Sequence, residues 1–489
     1  MLKAIKPIYR YDDKTLFWGF ITLTILSAVG SLLLESPAPL LLPMGLLFGL
    51  FTFHSPKQLY YLFFFLLPFS VEVSLPGGFG TDLPSEPIML VLMGITGLLY
   101  FRNMHHLDSR LFRHPMTIIV LLHLGWIAFT CLFSVDFVVS LKFWVAKFWY
   151  LLPFYFLPFV MLKDEKAYRY LFMFLGLGLY ISIAYVMFQH ALKGFSFDSI
   201  NKAVRPIYRN HVSYGIILVC FLPFLWYLIN ASKVKSLFLK WGPMLILLVA
   251  IYLTYTRAAQ LAVVLAFGIF WVIRLRLAKL ALGGSVALLI AIVTFLSYNN
   301  KYLDFAPDYE KTITHYKFDN LVEATYKMQD ISTVERFYRW IAGFYMVKEK
   351  PVTGWGPSTF YTQYKGHTVT SYKTYVSNNP EKSGIHNNYL MVAVEQGVPG
   401  LIIMVLIAIL PIIFGERAYH ALKDPNERNL VMAAIICFTL IDIVILINDL
   451  LEADKVGPFY FLSLSIIVYF YCKSQKAGAK EKIMPQSID

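Results

Sequence analysis

Several cationic side chains stand where an apolar sequence would not be expected to carry charge. Arg257 follows Tyr252-Leu253-Thr254-Tyr255-Thr256 at the junction of two apolar runs. A guanidinium there is costly unless it is paired, meets an anion or snorkels to the interface. Arg205 and Arg209 come just before another apolar run and are followed by Asn210 and His211. Arg336 and Arg339 lie on a stretch of helical periodicity, where a solvated helix face is the plainer explanation. His386 begins His386-Asn387-Asn388-Tyr389-Leu390, where a long polar segment returns to apolar sequence. A single histidine in such a place is more often structural than catalytic.

The chemistry such a set could perform is specific. Guanidinium forks match phosphate geometry, and each charge-assisted hydrogen bond contributes roughly 1.5–3 kcal/mol. Two or three of them could neutralise a pyrophosphate leaving group without a metal. An imidazole, with an unperturbed pKa of about 6.5, could take a proton from an acceptor hydroxyl. The residues therefore point to group transfer from a lipid-linked diphosphate. Walker A, HExxH, GxSxG, D-x-D and zinc-type cysteine patterns are absent from the sequence, so neither a metal nor a cofactor is expected. Cys131, Cys220, Cys437 and Cys472 lie in or beside apolar runs, without the spacing of a disulfide framework. His105-His106 read as solvated. Asp442, Asn448, Asp449 and Glu452 cluster near the end of an apolar run; they are functional candidates, and capping or ion pairing accounts for them equally well.

The elements that position these residues must lie in a membrane. Of 489 residues, 58% are hydrophobic and 15% charged, and the mean hydropathy is +0.60. Soluble chains carry roughly 45–50% apolar and about 25% charged residues, so the excess faces lipid and a soluble, fibrous or disordered protein is excluded. About fourteen apolar runs extend from 15–34 to 456–472. Several are shorter than the roughly 20 residues of a full span, which predicts 12–14 transmembrane helices in an all-α polytopic protein. The first run lacks an A-x-A-like exit and is long enough to span, so no cleavable signal peptide is expected.

The net charge of +13 would suggest nucleic acid in a soluble protein; cytoplasmic loops of membrane proteins also collect Lys and Arg. Alternating the runs from a cytoplasmic N-terminus puts 24 of the 43 basic residues on the inner side, including Lys57, Arg274, Arg276 and the C-terminal lysines. The short outer loop 72–86 is acidic. Two outer segments go against the rule: 191–210, which carries Arg205 and Arg209, and 299–385, which is long enough to suggest a function. The organisation expected is a bundle over 1–298, an outer loop domain over 299–385, further spans over 386–472 and a cytoplasmic tail over 473–489. Within the loop, Ser332-Thr333-Val334-Glu335 reads as a capping box. Phe337, Trp340, Ile341, Phe344 and Tyr345 form an apolar stripe behind it, on a helix ending before Pro351. The stripe would pack on the membrane domain or lie in the interface. Gly354-Trp355-Gly356-Pro357-Ser358 is either a tight turn or a place where backbone approaches a ligand.

These residues resemble the O-antigen ligase and O-antigen polymerase superfamily. Arg257-Ala258-Ala259-Gln260-Leu261 fits its R-x3-L element, and His386-Asn387 followed after nine residues by Gly397-Val398-Pro399-Gly400 fits its H-[NSQ]-x9-G-x2-G element. The Glu335–Phe360 stretch and Arg205-Pro206-Ile207-Tyr208-Arg209-Asn210-His211 also resemble family segments, so the likeness covers roughly 200–415. It implies a GT-C-like, metal-independent, inverting glycosyltransferase of the bacterial inner membrane, with both termini cytoplasmic and a periplasmic active site. The donor implied is an undecaprenyl-diphosphate-linked glycan and the acceptor lipid A–core. Arg257 and Arg205 or Arg209 would bind the diphosphate, with Arg336 contributing, and His386 would activate the acceptor hydroxyl. Asn387, His211, Gly354, Gly356, Gly397 and Gly400 would support them. A polymerase joining lipid-linked repeats, or a protein O-oligosaccharyltransferase, carries related elements. A transporter of lipid-linked sugar would be expected to show inverted repeats, and none is apparent.

Overall fold

The computed structural model describes residues 13–33, 42–43, 49, 52, 55–75, 79–102, 108–306, 331–374, 377–379 and 383–483. His105-His106, most of the run at 39–53 and residues 307–330 of the long loop lie outside these. The chain divides into two compact units, Met1–Leu62 and Phe63–Asp489. The first contains helix α1 (Asp13–Leu33); helix α2 (Pro56–Leu66) runs across the boundary.

Among the described residues the second unit is helical apart from one hairpin, β1 (Val71–Leu75) paired antiparallel with β2 (Phe79–Leu83). In order it contains α3 (Ser85–Arg102), α4 (Pro115–Cys131), α5 (Phe137–Met161), α6 (Glu165–Ala191) and the short α7 (Phe197–Ala203). Then follow α8 (His211–Ala231), α9 (Leu237–Tyr252), α10 (Arg257–Arg274) and α11 (Ala278–Ser297). The loop helix is α12 (Ile331–Glu349); α13 (Asn388–Ala421), α14 (Pro425–Val444) and α15 (Gly457–Ile483) complete the chain. The protein is an all-α polytopic membrane protein. Among the described residues seven helices are long and apolar enough to cross a membrane, and three apolar helices are shorter. The apolar run 58–71 is not a full span: its helix α2 ends at Leu66, and eleven residues at about 1.5 Å each are too short to cross a hydrocarbon layer.

Burial separates core helices from lipid-facing ones. α14 is buried nearly all round from Leu430 to Ile441 and packs against α8, α13 and α15, as expected for a helix apolar on every face. α11 is as apolar yet exposes Leu280, Leu288 and Ile290, surface that only lipid would cover at low cost.

Contacts within the second unit sort the helix ends into two sets. At one end Val135 N–H donates to Trp355 O (3.0 Å), Tyr255 Oη to Phe195 O (2.6 Å), Lys455 Nζ to Ile207 O (2.6 Å) and Ser85 Oγ to Asp454 Oδ2 (3.3 Å). At the other, Ala278 N–H donates to Glu416 Oε1 (3.0 Å), His420 Nε2 to Ile273 O (3.0 Å) and Tyr469 Oη to Lys163 O (2.7 Å). Each of these contacts joins residues that the charge alternation assigns to one side.

The loop helix forms, with two corrections to its expected details. Ser332 lies one residue inside α12 rather than at its cap, and the buried Glu335 accepts from the Thr374 and Ser377 hydroxyls and pairs with Arg339 (3.6 Å). The buried stripe is Val334, Tyr338, Ile341, Ala342 and Met346, packed on Trp355, Phe360, Tyr364, Ile385 and Leu390. Phe344 and Tyr345, expected in the stripe, are exposed. The loop thus builds its own aromatic core against the start of α13.

Candidate functional site

α13 begins with a side-chain cap and is then broken on purpose. Asn387 Oδ1 accepts from Leu390 N–H (2.9 Å), satisfying one of the unpaired amides of a helix start. Ten residues on, Gly397 takes φ +73° and interrupts the helix, a conformation glycine adopts without penalty. The break leaves carbonyls for other donors. Val394 O accepts from Trp355 N–H (2.9 Å), Glu395 O from Gly356 N–H (2.9 Å) and Gln396 O from Trp126 Nε1 (2.9 Å), while Val398 N–H donates to Pro351 O (2.7 Å). Glu395 completes the clamp: its carboxylate accepts from Ser358 N–H (2.7 Å) and Phe360 N–H (3.1 Å).

The glycines fit this docking. A Cβ on Gly354 would strike the Glu395 backbone, one on Gly356 would strike Ser134, and one on Gly397 would strike Val352 O. Gly400 leaves its own Cβ position to Gln396 Cβ (2.6 Å away) and Trp126. The close backbone approach considered for Gly354–Ser358 is therefore made by the chain's own α13 and Ser134, and a bound ligand is not needed to explain it.

His386 sits just ahead of the cap with φ +57°, a region a non-glycine residue occupies at a cost of about 1–3 kcal/mol. Three hydrogen bonds, two from α12 and one to the segment after α14, hold the backbone there. Arg339 Nη1 donates to Gly384 O (3.0 Å), Trp340 Nε1 to Ile385 O (3.0 Å), and His386 N–H itself donates to Asp449 Oδ2 (2.8 Å). Burial, then the charges of Arg336 and Arg339, push the imidazole pKa down to about 4. His386 is therefore neutral at neutral pH and able to accept a proton. Arg336, expected among the diphosphate ligands, is on this side of the site and donates to Ser332 Oγ (2.9 Å). Burial raises the Asp449 carboxyl to about 6, against the lowering effect of the His386 N–H.

The other cations share neighbouring turns. His211 heads α8 and its Nδ1 lies 2.8 Å from Asn201 Oδ1; its carbonyl accepts from Thr256 Oγ1 (3.2 Å), the residue before Arg257. Arg257 is the first residue of α10 and is half-buried. Arg205 and Arg209, on the turn that leads into α8, are both exposed. The structure thus brings Arg205, Arg209, His211 and Arg257 to one group of turns, and His386, Asn387 and Arg336 to another. The segment between α14 and α15 touches both: Asp449 holds His386, and Lys455 holds Ile207 in the middle of the arginine turn. A small apolar cavity lies between α8, α10 and α14 and the segment that follows α14, lined by Ile216, Ala258, Ile441 and Val456. Of the acidic cluster, Glu452 pairs with Lys147, and Asp442 accepts from Tyr389 Oη (3.2 Å). Lys455 and Glu395 escaped the sequence reading. A carboxylate in an apolar run was the available signal for Glu395; Lys455 offered only a basic residue on the outer side.

Residues 242–405 match the family model described as O-antigen ligase. The likeness to the O-antigen ligase-like superfamily, expected from the motifs, is thereby shown over 164 of the 489 residues. The matched segment runs from α9 into α13. It takes in Arg257, Arg336, His386, Asn387 and the four glycines, and leaves Arg205, Arg209, His211 and Lys455 outside. O-antigen ligase-like proteins are glycosyltransferase-like ligases and polymerases acting on lipid-linked glycans. No curated protein matches the chain.

Proposed function

We propose that this protein transfers O-antigen glycan from undecaprenyl diphosphate to lipid A–core on the periplasmic face of the bacterial inner membrane. The observation that carries the reading is His386, fixed in a strained backbone position at the same bundle end as Arg205, Arg209 and Arg257. In the reaction the acceptor oxygen attacks the anomeric carbon as its bond to the diphosphate oxygen breaks. His386 takes the acceptor proton, and the arginines hold the departing diphosphate by charge-assisted hydrogen bonds. Attack opposite the leaving group inverts the anomeric centre. A bound diphosphate would offset the positive field of Arg336 and Arg339 at the imidazole, so His386 becomes a better base when donor is present.

The basic residues on the opposite set of helix ends support a cytoplasmic placement of that end and of both termini. The ligase reading is taken from the clean His386-Asn387…Gly397…Gly400 element, and the matched family covers ligases and polymerases alike. A deletion strain separates the two: a ligase loss leaves bare core and accumulated lipid-linked polymer on a lipopolysaccharide gel. Core bearing a single repeat would instead identify a polymerase. Transfer of labelled glycan by purified protein with chelator present tests the metal-free mechanism, and loss of transfer on chelation would overturn it.

A further inference from the structure

Lys455 is a buried cation outside the matched family segment. Its ammonium donates to the Ile207 carbonyl at 2.6 Å and lies 4.3 Å from the centre of the Tyr208 ring. Both contacts fall inside the five residues from Arg205 to Arg209. Tyr208 is itself fully buried, its hydroxyl hydrogen-bonded to Ser182 Oγ (2.8 Å) and its ring against Tyr214 (4.8 Å). The turn is thus pinned at its two middle residues while the arginines that flank them are exposed. The segment that carries Lys455 is anchored independently: Glu452 pairs with Lys147, its carbonyl accepts from Tyr150 Oη (2.6 Å), and Asp454 accepts from Ser85 Oγ. Burying an ammonium is costly unless it is satisfied. Here a carbonyl, an aromatic face and the nearby carboxylates of Asp454 and Asp82 supply the compensation.

We propose that Lys455 is a positioning residue that fixes the Arg205–Arg209 turn from beneath, through the Ile207 carbonyl and the Tyr208 ring, so that both guanidiniums face a lipid diphosphate. The inference rests on the proposed function, because it assumes that this turn meets the donor. Lys455 acts through the turn and does not touch the lipid. A side chain that only filled space would be replaceable by methionine, whereas this role needs a cationic donor.

The test measures binding of undecaprenyl diphosphate to the full-length protein in nanodiscs. Lys455→Met should weaken binding by about tenfold or more, as when a displaced guanidinium of the turn gives up one charge-assisted hydrogen bond to the diphosphate. Lys455→Arg, which keeps a donor and a charge, should recover most of that loss. In the Arg205→Ala/Arg209→Ala background, adding Lys455→Met should cost almost nothing further, since the turn then has no guanidinium left to orient. Should Lys455→Met fail to fold, the arginine variant and Lys455→Gln carry the same comparison, with glutamine intermediate. Full binding by Lys455→Met, or a loss that adds to that of the double arginine variant, overturns the positioning role while leaving the donor site in place. Unchanged binding by Arg205→Ala/Arg209→Ala itself would remove the turn from the donor site and overturn both readings.

Discussion

The backbone around His386 is held by three hydrogen bonds from two elements, whereas the turn carrying Arg205 and Arg209 is held at its middle and leaves its two charged side chains exposed. The two regions share one end of the bundle and answer different demands. A general base must meet one proton on one oxygen, and a displacement of about 1 Å can cost a hundredfold in rate. The residues that receive a lipid diphosphate must admit it from the membrane and then close on it, which long side chains on a pinned turn can do. On the proposed function, rigidity is thus concentrated where geometry would decide the rate, and side-chain freedom is kept where the lipid diphosphate would enter.

The largest effect expected is on the fixed side. His386→Ala should lower glycan transfer by about 10²–10⁴-fold, the usual contribution of a general base, while undecaprenyl diphosphate still binds. Full activity in that variant would remove His386 from the reaction. Next comes the frame itself. Gly397→Ala adds a Cβ at φ +73° against Val352 O, and should destabilise the protein by about 2–4 kcal/mol, seen as a lower thermal midpoint in detergent. Gly268→Ala is its control: that helical glycine has open space around it, so alanine should be neutral or slightly stabilising. If the two alanines behaved alike, the broken helix would not be the frame described above. On the receiving side, Arg257→Ala should weaken undecaprenyl diphosphate binding by about 10–100-fold; a loss confined to turnover would contradict its assignment to the donor.

The two regions also differ in how far they were legible from sequence. The motif residues are visible as residue types at fixed spacings, and the sorting of helix ends follows from where Lys and Arg accumulate. The cap at Asn387 and the helix break at Gly397 suit their residue types, but neither was legible in advance: the apolar run starts at 397, whereas the helix starts ahead of it at Asn388. What holds His386 is not local: Asp449 is 63 positions away in sequence, and Arg339 reaches Gly384 across 45. Lys455 meets Ile207 across 248. A single sequence has no period or spacing that encodes such pairings, so Asp449 read as one member of an acidic cluster and Lys455 was not singled out. The apolar stripe of α12 was displaced for a related reason. Several aromatics share that helix, and only the packing against Ile385 and Leu390 decides which of them turn inward.

The smallest effect is the most specific test of how the fixed side works. Asp449 is raised by burial to about 6, and His386 is lowered by burial and by Arg336 and Arg339 to about 4. Near pH 7 the carboxylate is mostly charged and holds the His386 N–H, and the imidazole is neutral. As pH falls through about 6, Asp449 takes up a proton, its hydrogen bond to the backbone weakens and His386 loses part of its restraint. Below about 4 the imidazole itself is protonated and cannot act as a base. The acid limb of kcat/KM should therefore have two steps, a shallow one near 6 and a deep one near 4. An unperturbed histidine would instead give one deep step near its ordinary value of about 6.5. Asp449→Asn keeps an acceptor oxygen but cannot titrate, so it should abolish the shallow step and leave the deep one. A single deep step near 6.5 in both proteins would show that neither burial nor the two arginines of α12 governs the base.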